Sequence, residues 1–308
     1  MLSVSSTRVA DETIIFILNL YAERKLQFKN IVEFALFLTN RKSVVRLVGD
    51  LTFYEEIKSR IDAFGFACER SDFMLRTIKS TYTSDQFQEH IMFHPDLGNE
   101  IVIYVGAKEA VLEAKYLEAM GCDDRMVAKV YGYPTCCGSA YHEISQSDSW
   151  INRFMERRDA VRYSYLSNKI GYLIPPYLSL HKDYFPCSIS CIATMRLCGL
   201  AEIALSEIGL DYLVLNIRRH LTGLCLIVGG NLYFFWNYRE VDGGFCDLEM
   251  GWHMPLGPDT DEFWKCKSIY VRGQQVTLVA AEGETLSFAN GKDGFHFVVF
   301  DGGPFSTK

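Results

Sequence analysis

Glu100-Ile-Val-Ile-Tyr-Val-Gly106, with Lys108 to Met120 directly behind it, is the stretch that decides the fold class. An unbroken apolar run without alternation reads as a strand buried on both faces. Gly106 ends that strand, and the apolar residues that follow recur at helical spacing. Strand, glycine turn and helix together make the βα step of a domain in which helices pack on a sheet.

Working outward toward the N-terminus, Asp11 is placed to cap a helix over about 12–24, and Asn30 a second over about 31–40. Ser43 to Val48 reads as a strand, Leu51 to Ala63 as a helix, and Gly65–Cys68 and Phe73–Ile78 as two short strands. Toward the C-terminus, Asp123 caps a helix into Val130, and Tyr131-Gly-Tyr-Pro134 breaks it. Further helices are expected from Thr135, over Ser149–Ile170, and from Cys187 to Ile208 behind Pro186, the last closed by Gly209. After about residue 212 the pattern changes. Leu224–Val228 and Leu232–Trp236 flank Gly229-Gly230-Asn231 as a hairpin, and strands follow at 267–271, 275–279, 286–288 and 295–300. The fold class is therefore α/β or α+β: a helical N-terminal segment, a central α-rich region next to a small sheet, and a β-rich C-terminal module. Residues 1–211 form the first region and 212–308 the second, the latter either separate or an extension of the first sheet.

With 308 residues, 49% of them hydrophobic and 14% aromatic, the chain has material for a large core. The net charge of −7 is spread along its length, with no basic block of the kind a nucleic-acid footprint needs. The early apolar run Thr13–Tyr21 is too short to span a bilayer, which takes ~20 residues. Asp11 and Glu12 precede it and no small-residue cleavage site follows, so the expectation is a cytoplasmic chain with no membrane partner. In a reducing compartment, ten cysteines speak for metal ligands or reactive thiols rather than a disulfide framework.

Two stretches concentrate that chemistry: Tyr131-Gly-Tyr-Pro-Thr-Cys136-Cys137 and His181-Lys-Asp-Tyr-Phe-Pro-Cys187-Ser-Ile-Ser-Cys191. Each runs aromatic, proline, then cysteine at a helix start. There the unsatisfied backbone N–H groups and the positive end of the helix dipole stabilise a thiolate. Cys187 and Cys191 are four apart, hence on one helical face, with Cys198 two turns further along it. Four thiols from two helix N-termini suit an iron–sulfur cluster, the first choice, or Zn²⁺. Three thiols and an open position suit non-redox cluster chemistry on a small-molecule substrate. A structural zinc in a scaffold module, a metal-free cysteine nucleophile, and plain packing of small apolar residues are the alternatives. Neither C-C nor C-x₃-C is a standard zinc spacing.

Asn99–Ala107, Tyr131–Cys137 and Phe185–Cys191 together resemble an uncharacterised prokaryotic family that pairs a Gly-Tyr-Pro-x-Cys-Cys motif with a later His-x-Pro-Cys-Ser-x-x-Cys motif. The resemblance spans about residues 99–205 and implies a shared cysteine site. This chain departs from the pattern in carrying Gly138 after the cysteine pair and in placing His181 five residues before Pro186.

Around the cysteines, His142 and Glu143 are candidates for an acid/base pair, and His181 for a ligand or proton shuttle. Tyr131, Tyr133, Tyr184 and Phe185 can wall a pocket, with Tyr133 and Tyr184 nearest a bound cofactor. Arg153, Arg157, Arg158 and Arg162 read as a solvated helix face, Arg218-Arg219-His220 as ambiguous, and the acidic stretch Asp242–Glu262 as a solvated loop or a cation site. No dinucleotide or Walker-type glycine loop, nucleophile elbow, H-E-x-x-H or kinase signature is present.

Overall fold

The computed structural model describes residues 4–79, 89–94, 100–145, 162–164, 186–228, 231–254, 266–280, 283–290 and 295–301. Eight helices and two sheets lie among these residues, an α+β arrangement.

The first half runs α1 (Val4–Ala22), α2 (Phe28–Leu38), β1 (Val44–Gly49), α3 (Leu51–Ala63), β2 (Ala67–Lys79), β3 (Glu89–His94), β4 (Glu100–Gly106), α4 (Lys108–Ala119), α5 (Asp124–Val130) and α6 (Thr135–Ser145). Its four strands pair antiparallel in the order β1-β4-β2-β3. Strand β4 supplies both faces of this sheet, as its unbroken apolar run requires. Ile101, Ile103 and Val105 join a core with α1, α2 and α3, while Val102 and Tyr104 join a second core with α4 and α5. A Cβ on Gly106 would stand 2.3 Å from the Ser43 carbonyl oxygen, so no other residue fits there without moving β1.

Three expectations in this half change. Asp11 does not cap α1: the helix starts at Val4, which leaves Asp11 in its interior. Asn30 does not cap α2 from outside. It lies inside the first turn, where its side chain accepts the Gln27 N–H at 2.9 Å, so the helix starts three residues earlier. The two short strands at 65–68 and 73–78 are one strand, β2, with a bulge between Arg70 and Met74. Ser71 makes the bulge tolerable: its hydroxyl donates to Phe73 O and accepts from Val102 N, so these two groups of the interrupted ladder are satisfied.

Next come β5 (Arg162–Ser164), α7 (Ile192–Glu207) and α8 (Asp211–Leu221). Arg162–Ser164 is a strand, which corrects the helix expected over 149–170 at those three residues. It pairs parallel with a late strand, so long-range pairing overrides the local helical pattern there. The remainder of that segment, with Arg153, Arg157 and Arg158, lies outside the described residues. Helix α8 buries Leu213, Val214, Ile217 and Leu221 in the same core as α1 and α2.

The C-terminal sheet contains β6 (Gly223–Val228), β7 (Asn231–Val241), β8 (Gly244–Met254), β9 (Cys266–Arg272), β10 (Gln275–Ala280), β11 (Thr285–Ala289) and β12 (His296–Asp301). With β5 it forms eight strands in the order β11-β10-β9-β8-β7-β6-β12-β5. Its core is aromatic: Tyr233, Phe235, Phe245, Phe295 and Phe297. Strand β8 corrects the loop reading over 244–254; the rest of that acidic stretch, with Asp259, Asp261 and Glu262, lies outside the described residues. Residues 244–254 pair along β7, and Asp247 forms an ion pair with Arg239 across that hairpin at 2.7 Å. No helix among the described residues is long and apolar enough to cross a membrane.

Candidate metal centre

The site begins with the end of α5. Tyr131 is its C-cap, Gly132 takes φ +70°, and the Tyr133 N–H reaches back to Ala128 O while the Gly132 N–H reaches Lys129 O. These two bonds form a Schellman motif, which needs a left-handed residue where glycine stands. Pro134 follows, and its carbonyl accepts the Cys137 and Gly138 N–H groups at 2.9 and 3.0 Å, opening α6. Cys136 and Cys137 are therefore the second and third residues of that helix.

The aromatic step is anchored from below. The Tyr131 hydroxyl donates to Glu118 Oε1 at 2.6 Å, the Tyr104 hydroxyl to Glu118 Oε2 at 2.9 Å, and Arg46 Nε to Oε1 at 2.9 Å. Burial, together with the neighbouring Glu118 carboxylate, pushes the Tyr131 phenol well up, so it stays a donor. Tyr133 packs 5.8 Å from Tyr131, centroid to centroid, and Lys42 Nζ stands 4.8 Å from its ring centre. Lys42 is in turn ion-paired with Glu33, and both side chains are buried. Tyr133 thus braces the turn before the cysteines instead of standing open as a pocket wall.

The second stretch enters differently from the sequence expectation. Residues 187–190 form a turn, the Cys191 N–H donates to Ser188 O at 3.2 Å, and Cys191 takes ψ 104° as the N-cap of α7. Cys187 and Cys191 do not share a helical face. The turn curls Cys187 back over the helix end, and so brings it beside Cys191. Cys198, along α7, is buried and takes no part in the cluster.

All four Sγ atoms of Cys136, Cys137, Cys187 and Cys191 lie within 4.8 Å of one another. Cys136–Cys137 is 3.9 Å, Cys136–Cys191 3.8 Å and Cys137–Cys191 3.6 Å. Cys137 and Cys191 are buried, Cys187 is half-buried, and Cys136 is exposed. Thr194 Oγ1, almost wholly buried, lies 3.3 Å from Cys137 Sγ. The Cys191 thiol is drawn down to about 4, first by a hydrogen bond from Cys137 and then by the Thr194 hydroxyl and N–H, against the opposing effect of burial. The Cys137 thiol is pushed up by donating to Cys191 and by burial. Cys187 is pushed up to about 11 by burial first and then by the charge on Cys191. Thiols that hydrogen-bond to one another in this way can give up their protons to a cation. The donor set, four sulfurs at mutual separations a single ion can bridge, fits a metal centre.

His181 and Tyr184 lie outside the described residues, as does Phe185. His142 and Glu143 belong to α6, but their side chains are likewise outside the description. Three groups escaped the sequence reading: Thr194, the Glu118 hub, and the Lys42–Glu33 pair. None left a signal in the sequence: Thr194 faces the cap only because α7 begins at Ile192. Of the ambiguous basic run, Arg218 pairs with Glu202 at 2.8 Å. No family model, curated protein or solved structure matches the chain.

Proposed function

We propose that this protein holds one metal ion, Zn²⁺ as the best fit, in a tetrathiolate of Cys136, Cys137, Cys187 and Cys191 that ties the start of α6 to the start of α7. The observation that carries this reading is the set of sulfur separations, all within 4.8 Å and three of them at 3.6–3.9 Å. Zn–S bonds of about 2.3 Å directed to the corners of a tetrahedron give edges of about 3.8 Å. An iron–sulfur cubane binds each thiolate to a different iron and spreads the sulfurs further. The separations therefore favour a single ion over the cluster. Four protein ligands with no open position is the pattern of structural zinc. That makes the leading reading a zinc-stabilised binding or scaffold module. A reducing, cytoplasmic address would keep these cysteines as thiols able to take up the ion.

A second reading, a metalloenzyme acting on a small molecule, is favoured by one observation: Cys136 is exposed while Cys137 and Cys191 are buried. A substrate able to displace Cys136 would gain one coordination position, with three thiolates left to hold the ion.

Elemental analysis of the full-length chain beside Cys→Ser variants at the four positions tests the metal reading. The expected result is about one zinc per wild-type chain and reduced content in each variant, most severely at the buried Cys137 and Cys191. Equal metal content in all five proteins would contradict it.

A further inference from the structure

The four sulfurs are chemically alike but differ in access. Cys136 alone is exposed, at the solvent edge of the cage, and its Sγ is 3.8 Å from Cys191 Sγ and 3.9 Å from Cys137 Sγ. We infer that this edge is an oxidation site: Cys136 reacts with hydroperoxides and Cys191 resolves the product, so that a disulfide empties the metal cage. The inference rests on the tetrathiolate reading above.

The Cys136 sulfur attacks one oxygen of a hydroperoxide such as hydrogen peroxide. The O–O bond breaks, an S–O bond forms, and hydroxide leaves. The Cys191 sulfur then attacks the Cys136 sulfur; the S–O bond breaks, the S–S bond forms, and a second hydroxide leaves. Two protons from solvent convert the hydroxides to water. The two thiolates lose two electrons, the peroxide gains them, and the cage keeps two of its four ligands.

Geometry selects Cys191 over the nearer neighbour in sequence. Cys136 and Cys137 are consecutive, with Cα atoms about 3.8 Å apart across a trans peptide, below the ~4.4 Å at which disulfide spacings begin. Cys191 comes from a separate stretch of chain, at the N-cap of α7, so no such backbone limit applies to its pairing with Cys136.

The test uses zinc-loaded full-length protein treated with hydrogen peroxide, with zinc release followed by a chromogenic chelator and disulfides mapped by peptide mass spectrometry. The expected result is zinc release in step with a Cys136–Cys191 disulfide, reversed by thiol reductant, and release about tenfold slower in Cys136→Ser, which keeps three thiolates. Because that variant can lose zinc outright, the wild-type chain and Cys191→Ser are also treated with a sulfenic-acid trapping dione. The first adduct is expected on Cys136, and it should accumulate in Cys191→Ser. A first adduct elsewhere, a different major disulfide, or release from Cys136→Ser at the wild-type rate would overturn the inference and leave the metal reading standing. A wild-type chain that retains no zinc would overturn the metal reading itself.

Discussion

Thr194 offers one hydroxyl to two ligand sulfurs, within 3.3 Å of Cys137 and in hydrogen-bonding contact with Cys191. Valine has the same branching and no hydroxyl, so Thr194→Val removes the hydrogen bond and little else. Groups that orient metal ligands from the second layer are typically worth 10–100-fold in affinity. Chelator competition is expected to show zinc affinity lowered by about 10-fold or more in Thr194→Val and restored in Thr194→Ser; equal affinity in all three would show that the hydroxyl is a bystander. At this scale much of the site was legible beforehand. Proline followed by cysteine at two helix starts singled out all four sulfurs, because thiolate stabilisation at a helix N-terminus depends on local sequence. Thr194 was not legible, because its role depends on α7 beginning at Ile192 and not at Cys187. Glu118 was hidden for another reason: it is an ordinary acidic residue on α4 until the fold brings Arg46, Tyr104 and Tyr131 to it.

Among the elements, β4 and the turn after it were readable because their constraints are local and severe. A doubly buried strand must be apolar throughout, and the chain must leave it past a residue without a side chain. Gly106→Ala would place a methyl 2.3 Å from a backbone oxygen and 2.9 Å from Val44 Cα. Overpacking against backbone is expected to cost about 1–3 kcal/mol, read as a lower urea midpoint with an unchanged slope; a midpoint equal to wild type would show that β1 moves freely and that the register at this edge is soft. Strand β8 was not readable, since its acidic residues Asp247 and Glu249 stand between glycines at 243–244 and 251 in a way that resembles a loop. Its pairing with β7 is what makes it a strand. The start of α7 was misplaced because Pro186 is a valid helix opener, while the Cys191 N–H bond to Ser188 O closes a turn before the helix begins.

Across the whole molecule, the cage lies in the core that also holds Tyr131 and Tyr133, and α7 runs from there into the core shared with α1 and α2. Leu197 touches both, so an ion held by the four sulfurs would fasten one end of a helix whose other end is already packed. Thiols outside the cage give the chain an alkaline limit. Burial pushes Cys68 up to about 12 and Cys266 up to about 11, from an ordinary value near 9, and pushes the fully buried Cys225 up as well. A group whose pKa is raised by folding contributes its full stability below the unfolded value. Above it the unfolded chain has lost protons that the folded chain still holds, so stability falls as pH rises. The expected outcome is a decline from about pH 9 to about pH 11–12, with a slope approaching 1.4 kcal/mol per pH unit for each buried thiol. Cys68→Ala should flatten that slope whatever it does to stability at neutral pH. Parallel slopes in denaturation series taken from pH 8 to 11 would contradict this.

X-ray absorption at the metal edge of the full-length chain, purified without added chelator, tests the central claim most directly. The account predicts one ion per chain in a shell of four sulfurs at about 2.3 Å, with no neighbouring metal atom. A shell of nitrogen and oxygen, a second metal within the cluster, or no bound metal would contradict it.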